Sequence, residues 1–326
     1  MKRMCSLIKT KNNEWMTAAV LSVCLASVAV LMGGCSTASV ADEAPRVLDW
    51  PIELVSEGHR FTEGVAVSPE GEVYFSDIPD AEMHIYSPRT GETRVFQPAS
   101  GGTNGQLFVP AAKQGDVGGQ LLVCEAKVTR EVAVYRDYSD AGSRVVLATG
   151  YEGKKFNSPN DVTLWGSKVV FTDPCYGDRS HMELDDESVY IIDPSDKSVT
   201  RLNHTFVRPN GIVTSNDGKI VYIADHGACT LLAWDTTTPA DNPSVSLFAV
   251  IDVETGGMDG MCVDAVGNIY TTLPQMKLVS VISPEGKEIG RLEFEEGPTN
   301  CTLTSDGKML CVTAQKSLYM VRIGDL

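Results

Sequence analysis

The chain has 326 residues, and the first 34 have the make-up of an export signal, so about 292 remain for structure, a size suited to a repeat architecture. Hydrophobic residues reach 43%, too many for a disordered chain, and the 29 Gly and 16 Pro are scattered, which excludes collagen and points to many turns. The formal net charge of −16 falls to near −19 without the leader, which carries four basic residues and one acidic, so a nucleic-acid partner is excluded.

At the N-terminus, Lys2, Arg3, Lys9 and Lys11 precede the apolar run Trp15 to Met32, and Leu31-Met32-Gly33-Gly34-Cys35-Ser36 follows. Small residues directly before a cysteine resemble the lipobox of bacterial lipoproteins. The pattern predicts a signal peptide over 1–34, diacylation of Cys35, and a flexible tether over 35–46 that anchors the protein to a membrane of the bacterial cell envelope, with the folded part in the periplasm. An uncleaved signal anchor is the alternative. The remaining cysteines (Cys124, Cys175, Cys229, Cys262, Cys301 and Cys311) form no C-x-x-C pair, and several sit in apolar runs, as core thiols do.

From residue 47 onward strand signals recur in a fixed order, without a helical period. The first unit reads Glu63-Gly-Val-Ala-Val, a turn at Gly71, Val-Tyr-Phe-Ser-Asp77, then His84-Ile-Tyr-Ser. Related units begin at Asn104, Asn160, Asn210, Asp259 and Asn300, with spacings of 41, 56, 50, 49 and 41 residues. The second is the least regular, with an insertion near 110–118. Four-stranded propeller blades have this period. The predicted fold over 47–326 is therefore all-β, a six-bladed β-propeller whose last blade lacks one strand. Residues 47–54 supply it and close the ring, hiding two sheet edges.

In a propeller the first strand of each blade lines the central channel. Glu63, Asn104, Asn160, Asn210, Asp259 and Asn300 are the equivalent starting positions, and each carries a carboxylate or carboxamide. Oxygen donors of this kind suit Ca²⁺, and Mg²⁺ or Mn²⁺ can use them too. Asn-Gly and Asp-Gly are also turn dipeptides, which leaves Glu63 and the six-fold recurrence unexplained.

The segments Thr62-Glu-Gly64, Ser158-Pro-Asn-Asp-Val162, Phe171-Thr-Asp-Pro174, Pro209-Asn-Gly211, Met258-Asp-Gly-Met-Cys-Val-Asp264 and Pro298-Thr-Asn300 occur in an order that resembles the senescence marker protein/gluconolactonase/luciferin-regenerating-enzyme family. The resemblance covers about residues 58–322. It implies a six-bladed propeller with one divalent cation in the channel: Ca²⁺, or another such as Zn²⁺, Mg²⁺ or Mn²⁺. Its metal ligands fall on Glu63, Asn210 and Asp259, and its ligating or substrate-contacting Asn falls on Asn160. Asp259 matches the residue assigned as base or nucleophile. Animal members carry Arg where this chain has Ser158.

The function so implied is metal-assisted hydrolysis of a small lactone or related ester. Asp259 and Asn160 would be catalytic, and Asn160 and Asn104 would contact substrate. No Gly-x-Ser-x-Gly elbow is present, against a serine hydrolase. A phosphotriesterase-like hydrolase and a non-catalytic, lipid-tethered propeller that binds a sugar or partner protein are the alternatives. His226 and Glu125, at strand ends, read as structural residues.

Overall fold

The computed structural model describes residues 44–109, 119–251 and 256–326. The leader, Cys35 and the tether up to residue 43 lie outside the described residues, as does the 110–118 insertion. Among the described residues no helix is long and apolar enough to cross a membrane.

Six blade sheets follow one another along the chain, each built on a four-stranded antiparallel meander, and a two-stranded ribbon, Gly150–Tyr151 with Lys154–Lys155, lies between the second and third. Blade I holds Thr62–Val67, Val73–Asp77, Glu82–Ser87 and Glu92–Gln97. Blade II holds Thr103–Val109, Gln120–Glu125, Glu131–Tyr135 and Arg144–Ala148, and blade III Val162–Trp165, Lys168–Asp173, Ser188–Asp193 and Ser198–Arg201. Blade IV runs from Pro209–Thr214 to Ser244–Ala249, and blade V from Met261–Val263 to Glu288–Glu293. Blade VI has three strands of its own, Pro298–Leu303, Met309–Ala314 and Ser317–Arg322. Its fourth is Ile52–Ser56, antiparallel to Ser317–Arg322. The chain is a six-bladed β-propeller closed by its N-terminal strand.

The closing strand differs in detail from the expected 47–54. Arg46–Val47 instead pairs parallel to the outer strand of blade V, and only after Pro51 does the chain join blade VI. Pro51 has no N–H to give and starts the new strand through its carbonyl, which accepts Arg322 N at 3.0 Å. Leu48 and Trp50 between the two pairings are buried in the seam of blades V and VI.

The core is divided into six apolar clusters, one at each blade junction. Val123 and Leu121 pack toward blade I, whereas Leu122 and Cys124 on the same strand pack toward blade III. Both faces of the inner strands are therefore buried, so they read as continuous apolar runs such as Leu121-Leu-Val-Cys124. Cys124, Cys175, Cys262, Cys301 and Cys311 are buried thiols.

Candidate functional site

The first strands of the blades converge on a cavity of about 420 Å³, lined by Phe61, Glu63, Ile78, Pro79, Asn104, Ala126, Lys127, Ser158, Asn160, Tyr176, His181, Asn210 and Asp259. Five of the six ring positions thus share one cavity. The sixth, Asn300, is buried beside it: its amide donates to Asp161 Oδ1 at 2.9 Å and its own Oδ1 accepts Cys301 N at 2.8 Å.

The glycines that follow ring residues are there for space. A Cβ on Gly64 would sit 1.7 Å from the Asn104 carbonyl oxygen, on Gly105 2.4 Å from that of Asn160, and on Gly211 2.1 Å from that of Asp259. On Gly260 it would sit 2.2 Å from the Asn300 side chain. Of these four only Gly64 has a positive φ, so the Asn-Gly and Asp-Gly pairs are close approaches of neighbouring blades rather than left-handed turns. Hydroxyls lock the same contacts. Ser76 donates to the Asn104 carbonyl at 3.0 Å, Thr172 to that of Asn210 at 2.6 Å, and Thr272 to that of Thr299 at 2.8 Å.

Asn210 is held in one orientation. Its Nδ2 donates to Tyr176 Oη at 2.6 Å, while its Oδ1 is buried with no partner, as is Oδ1 of Asn104. The Arg208 guanidinium lies over the Tyr176 ring, 5.2 Å from its centre. Burial pushes the carboxyls of Glu63 and Asp259 well above the ordinary range, and neighbouring carboxylates add to the effect, Asp259 and Asp161 on Glu63 and Asp161 on Asp259. Asp161 is itself pushed up to about 7 by burial, opposed by the Asn300 hydrogen bond. Three buried carboxyls with no cationic side chain among the causes of their shifts create a demand for positive charge.

Asp161 and Tyr176 are the site residues to which the sequence pattern assigned no role, although Asp161 lies within the Ser158–Val162 motif. Asp161 stands where four of the other five ring residues are followed by glycine, a departure visible in the repeat. Tyr176 comes from the loop after the second strand of blade III, which carries no periodic signal. Conversely, His226 is not part of the lining: its Nδ1 lies 3.0 Å from the Met258 carbonyl oxygen, where it supports the backbone before Asp259. Glu125 is buried in a bidentate pair with Arg144, at 2.7 and 2.8 Å.

Residues 61–316 match the family described as the SMP-30/Gluconolactonase/LRE-like region. The chain belongs to this family. A gluconolactonase of Zymomonas mobilis is 26% identical over 89% of this chain and 88% of its own. A lactonase of Staphylococcus epidermidis is 23% identical over 81% and 76%, respectively. Among solved structures, a gluconolactonase from Xanthomonas campestris superposes with a TM-score of 0.73 at 24% identity, covering 86% of this chain and 91% of that one. A calcium-binding protein, regucalcin, from Agrobacterium tumefaciens does so with a TM-score of 0.66 at 18% identity, covering 85% and 95%. The fold is shared across the family at these low identities.

Proposed function

We propose that the protein is a divalent-cation-dependent hydrolase of a lactone or related ester, with Glu63, Asn160, Asn210 and Asp259 as cation ligands. The observation that carries it is the convergence of these four side chains, with Asn104, on one cavity. Their donor chemistry fits the ion: two carboxylates and two carboxamides make an all-oxygen set, the preference of Ca²⁺. The buried, unpartnered Oδ1 of Asn210 fits too, because its amide nitrogen donates to Tyr176 and faces Asp259, which leaves the oxygen free to give. The curated relatives named gluconolactonase and lactonase support a lactone as the substrate class.

When bound, a cation supplies a Lewis acid for the substrate carbonyl and offsets the charge of the tetrahedral oxyanion. Asp259 takes the proton of the attacking water, or attacks the carbonyl carbon itself. Asn160 and Asn104 hold the substrate's polar edge, and Phe61 and Ile78 receive its carbon skeleton. Tyr176 acts through Asn210, accepting from its Nδ2 and so fixing the carboxamide whose Oδ1 would be the donor to a cation. Turnover of sugar lactones, aryl esters and phosphotriesters, with chelator and after adding back Ca²⁺, tests this. Lactone opening lost in chelator and restored by Ca²⁺ is expected. Full lactone turnover in chelator overturns the cation's role, and activity on phosphotriesters alone overturns the substrate class.

We further infer, from the sequence alone, a lipoprotein of the bacterial envelope, joined to its membrane through Cys35. Cys35→Ser should leave an unlipidated, unprocessed precursor; normal processing of that variant defeats the inference.

A further inference from the structure

Blade I holds a second polar cluster, outside the lining of the channel cavity. One ligand atom each from His59, Asp77 and His84 lie within 4.8 Å of one another. Phe75, Asp77, Glu82 and His84 share one face of the sheet, since Phe75 pairs with His84 and Asp77 with Glu82. That face packs on blade VI, where Phe75 joins Leu318, Met320 and Val55 of the closing strand. His59 reaches the cluster from the loop directly after the closing strand.

Blades III and IV, which carry the same aspartate, show what the equivalent seat contains there. Asp77 accepts Arg60 N at 2.8 Å and Phe61 N at 3.1 Å. In blade III Asp173 accepts Asn157 N and Ser158 N in the same way, and in blade IV Asp225 accepts Val207 N and Arg208 N. Aligned on those bonds, the residue before the two donors is His59 in blade I, Phe156 in blade III and Phe206 in blade IV. The residue paired with the inner strand is His84 opposite Phe75, Tyr190 opposite Phe171 and Leu232 opposite Ile223. Phe156 packs on Phe171 and Tyr190 with ring centres 5.0 and 5.4 Å apart, and His59 packs on Phe75 and His84 at 4.9 Å each. The shape is preserved while two apolar seats become imidazoles, a change that burial penalises. Burial also lowers the pKa of both rings, which favours the neutral, ligating form. His84 is 8% exposed, and its Nε2 makes no hydrogen bond, although Glu82 Oε2 lies 3.3 Å away.

We propose that His59, His84 and Asp77 form a structural site for a zinc-class cation that staples the closing strand to blade I. Two imidazoles and a carboxylate select Zn²⁺, Co²⁺ or Ni²⁺ over the hard cations Ca²⁺ and Mg²⁺. Asp77 keeps acceptor capacity after its two backbone bonds. Ser56 Oγ, at 2.9 Å from His59 Nε2, is the outer partner that orients the ring and leaves its other nitrogen for the ion. Glu82 lies beside His84 but outside the three-residue cluster, so water would complete the four-coordinate set. The ion would sit where the first and last blades meet, so it links His59, which follows the closing strand, to the sheet that the ring must close upon.

The test uses the full chain, stripped with chelator and then saturated with Ca²⁺ so that an oxygen site in the channel is filled. One equivalent of Co²⁺ should give the intense visible bands of a tetrahedral site, and Zn²⁺ should displace it and raise Tm by about 5–10 °C at large excess over Kd. His59→Phe with His84→Tyr copies the residues of blade III and should keep a cooperative melt. It should lose both the bands and the Zn²⁺ shift, while Glu63→Gln keeps them. His84→Tyr alone, read by the Co²⁺ bands, serves if the double variant does not fold. Bands or a Zn²⁺ shift that survive loss of the histidines, or disappear in Glu63→Gln instead, overturn the site. So does a parent protein that Zn²⁺ does not stabilise.

Discussion

Glu63 and Asp259 are the two charged members of the proposed ligand set, and their roles separate by substitution. Asp259→Asn removes the base together with half the ligand charge, so lactone turnover should fall by ~10²–10⁴ even at saturating Ca²⁺, with occupancy checked by calorimetry. Glu63→Gln removes the same share of ligand charge but leaves the base, so Ca²⁺ affinity should fall while turnover recovers in excess Ca²⁺. Full activity in Asp259→Asn would remove it from the chemistry. The carboxyls also predict an unusual pH profile for chelator-treated protein. Asp161 has a folded value of about 7, raised from the ordinary carboxylate range by burial. The folded state thus binds the proton more tightly than the unfolded chain does, and stability is lost as pH rises from about 4 to about 7. Tm of the chelated protein should be higher at pH 5.5 than at pH 8. The difference should shrink in Asp161→Asn and in saturating Ca²⁺; a profile unaffected by either would show that this carboxyl carries no such proton.

The elements are joined by two recurring devices, each testable. The first is the aspartate that ends a blade's second strand and binds two successive N–H groups of the loop leading into that blade. Asp225, 2% exposed, does this for Val207 and Arg208 at 2.9 and 2.8 Å. Asp225→Ala leaves two donors unmet at ~1–3 kcal/mol each, so a thermal melt should show Tm lower by roughly 5–15 °C. A shift within 1–2 °C would mean that water satisfies the loop instead. The second device is the glycine beside the ring. Gly211→Ala drives a methyl to 2.1 Å from the Asp259 carbonyl oxygen, which must move. Turnover should fall at least ~10-fold with the melt still cooperative, because a displacement of about 1 Å at a reacting group is enough. Unchanged turnover would place the Asp259 backbone outside the chemistry.

At the level of the whole molecule, closure decides stability. Blade VI is bound to blade I by Thr299 Oγ1 donating to the Thr62 carbonyl at 2.8 Å and Thr62 Oγ1 donating to that of Ser317 at 3.0 Å. The closing strand completes the sheet, and Leu48 with Trp50 fills the seam next to it. A chain lacking residues 44–57 exposes the Ser317–Arg322 edge and removes both side chains from the core. It should melt more than 10 °C lower and scatter light on heating. Equal stability would mean that the ring closes through its hydroxyl contacts alone.

The six-fold period, the strands and the ring of oxygen-bearing residues were legible in the linear sequence because each blade repeats the same local solution: an inner strand after a polar residue, a turn glycine, an apolar run buried on both faces. Propensity and pattern act within some 45 residues, and the repeat multiplies the signal. What tertiary structure alone decided lies at contacts between blades. Asp161 reaches Asn300 across 139 positions, Tyr176 turns Asn210 across 34, and the crossing at Pro51 assigns one short segment to two sheets. The histidines of blade I belong here as well: His59 and His84 are 25 residues apart and unremarkable in the chain, and only superposition of the blade on its neighbours shows them in seats that hold Phe156 and Tyr190 elsewhere. The glycines divide between the two kinds. Those at turns such as Gly71, Gly218 and Gly307 have open space and the positive φ that local chemistry predicts. Gly105, Gly211 and Gly260 are dictated by the next blade's atoms two to three ångströms away, a distance that no local pattern encodes.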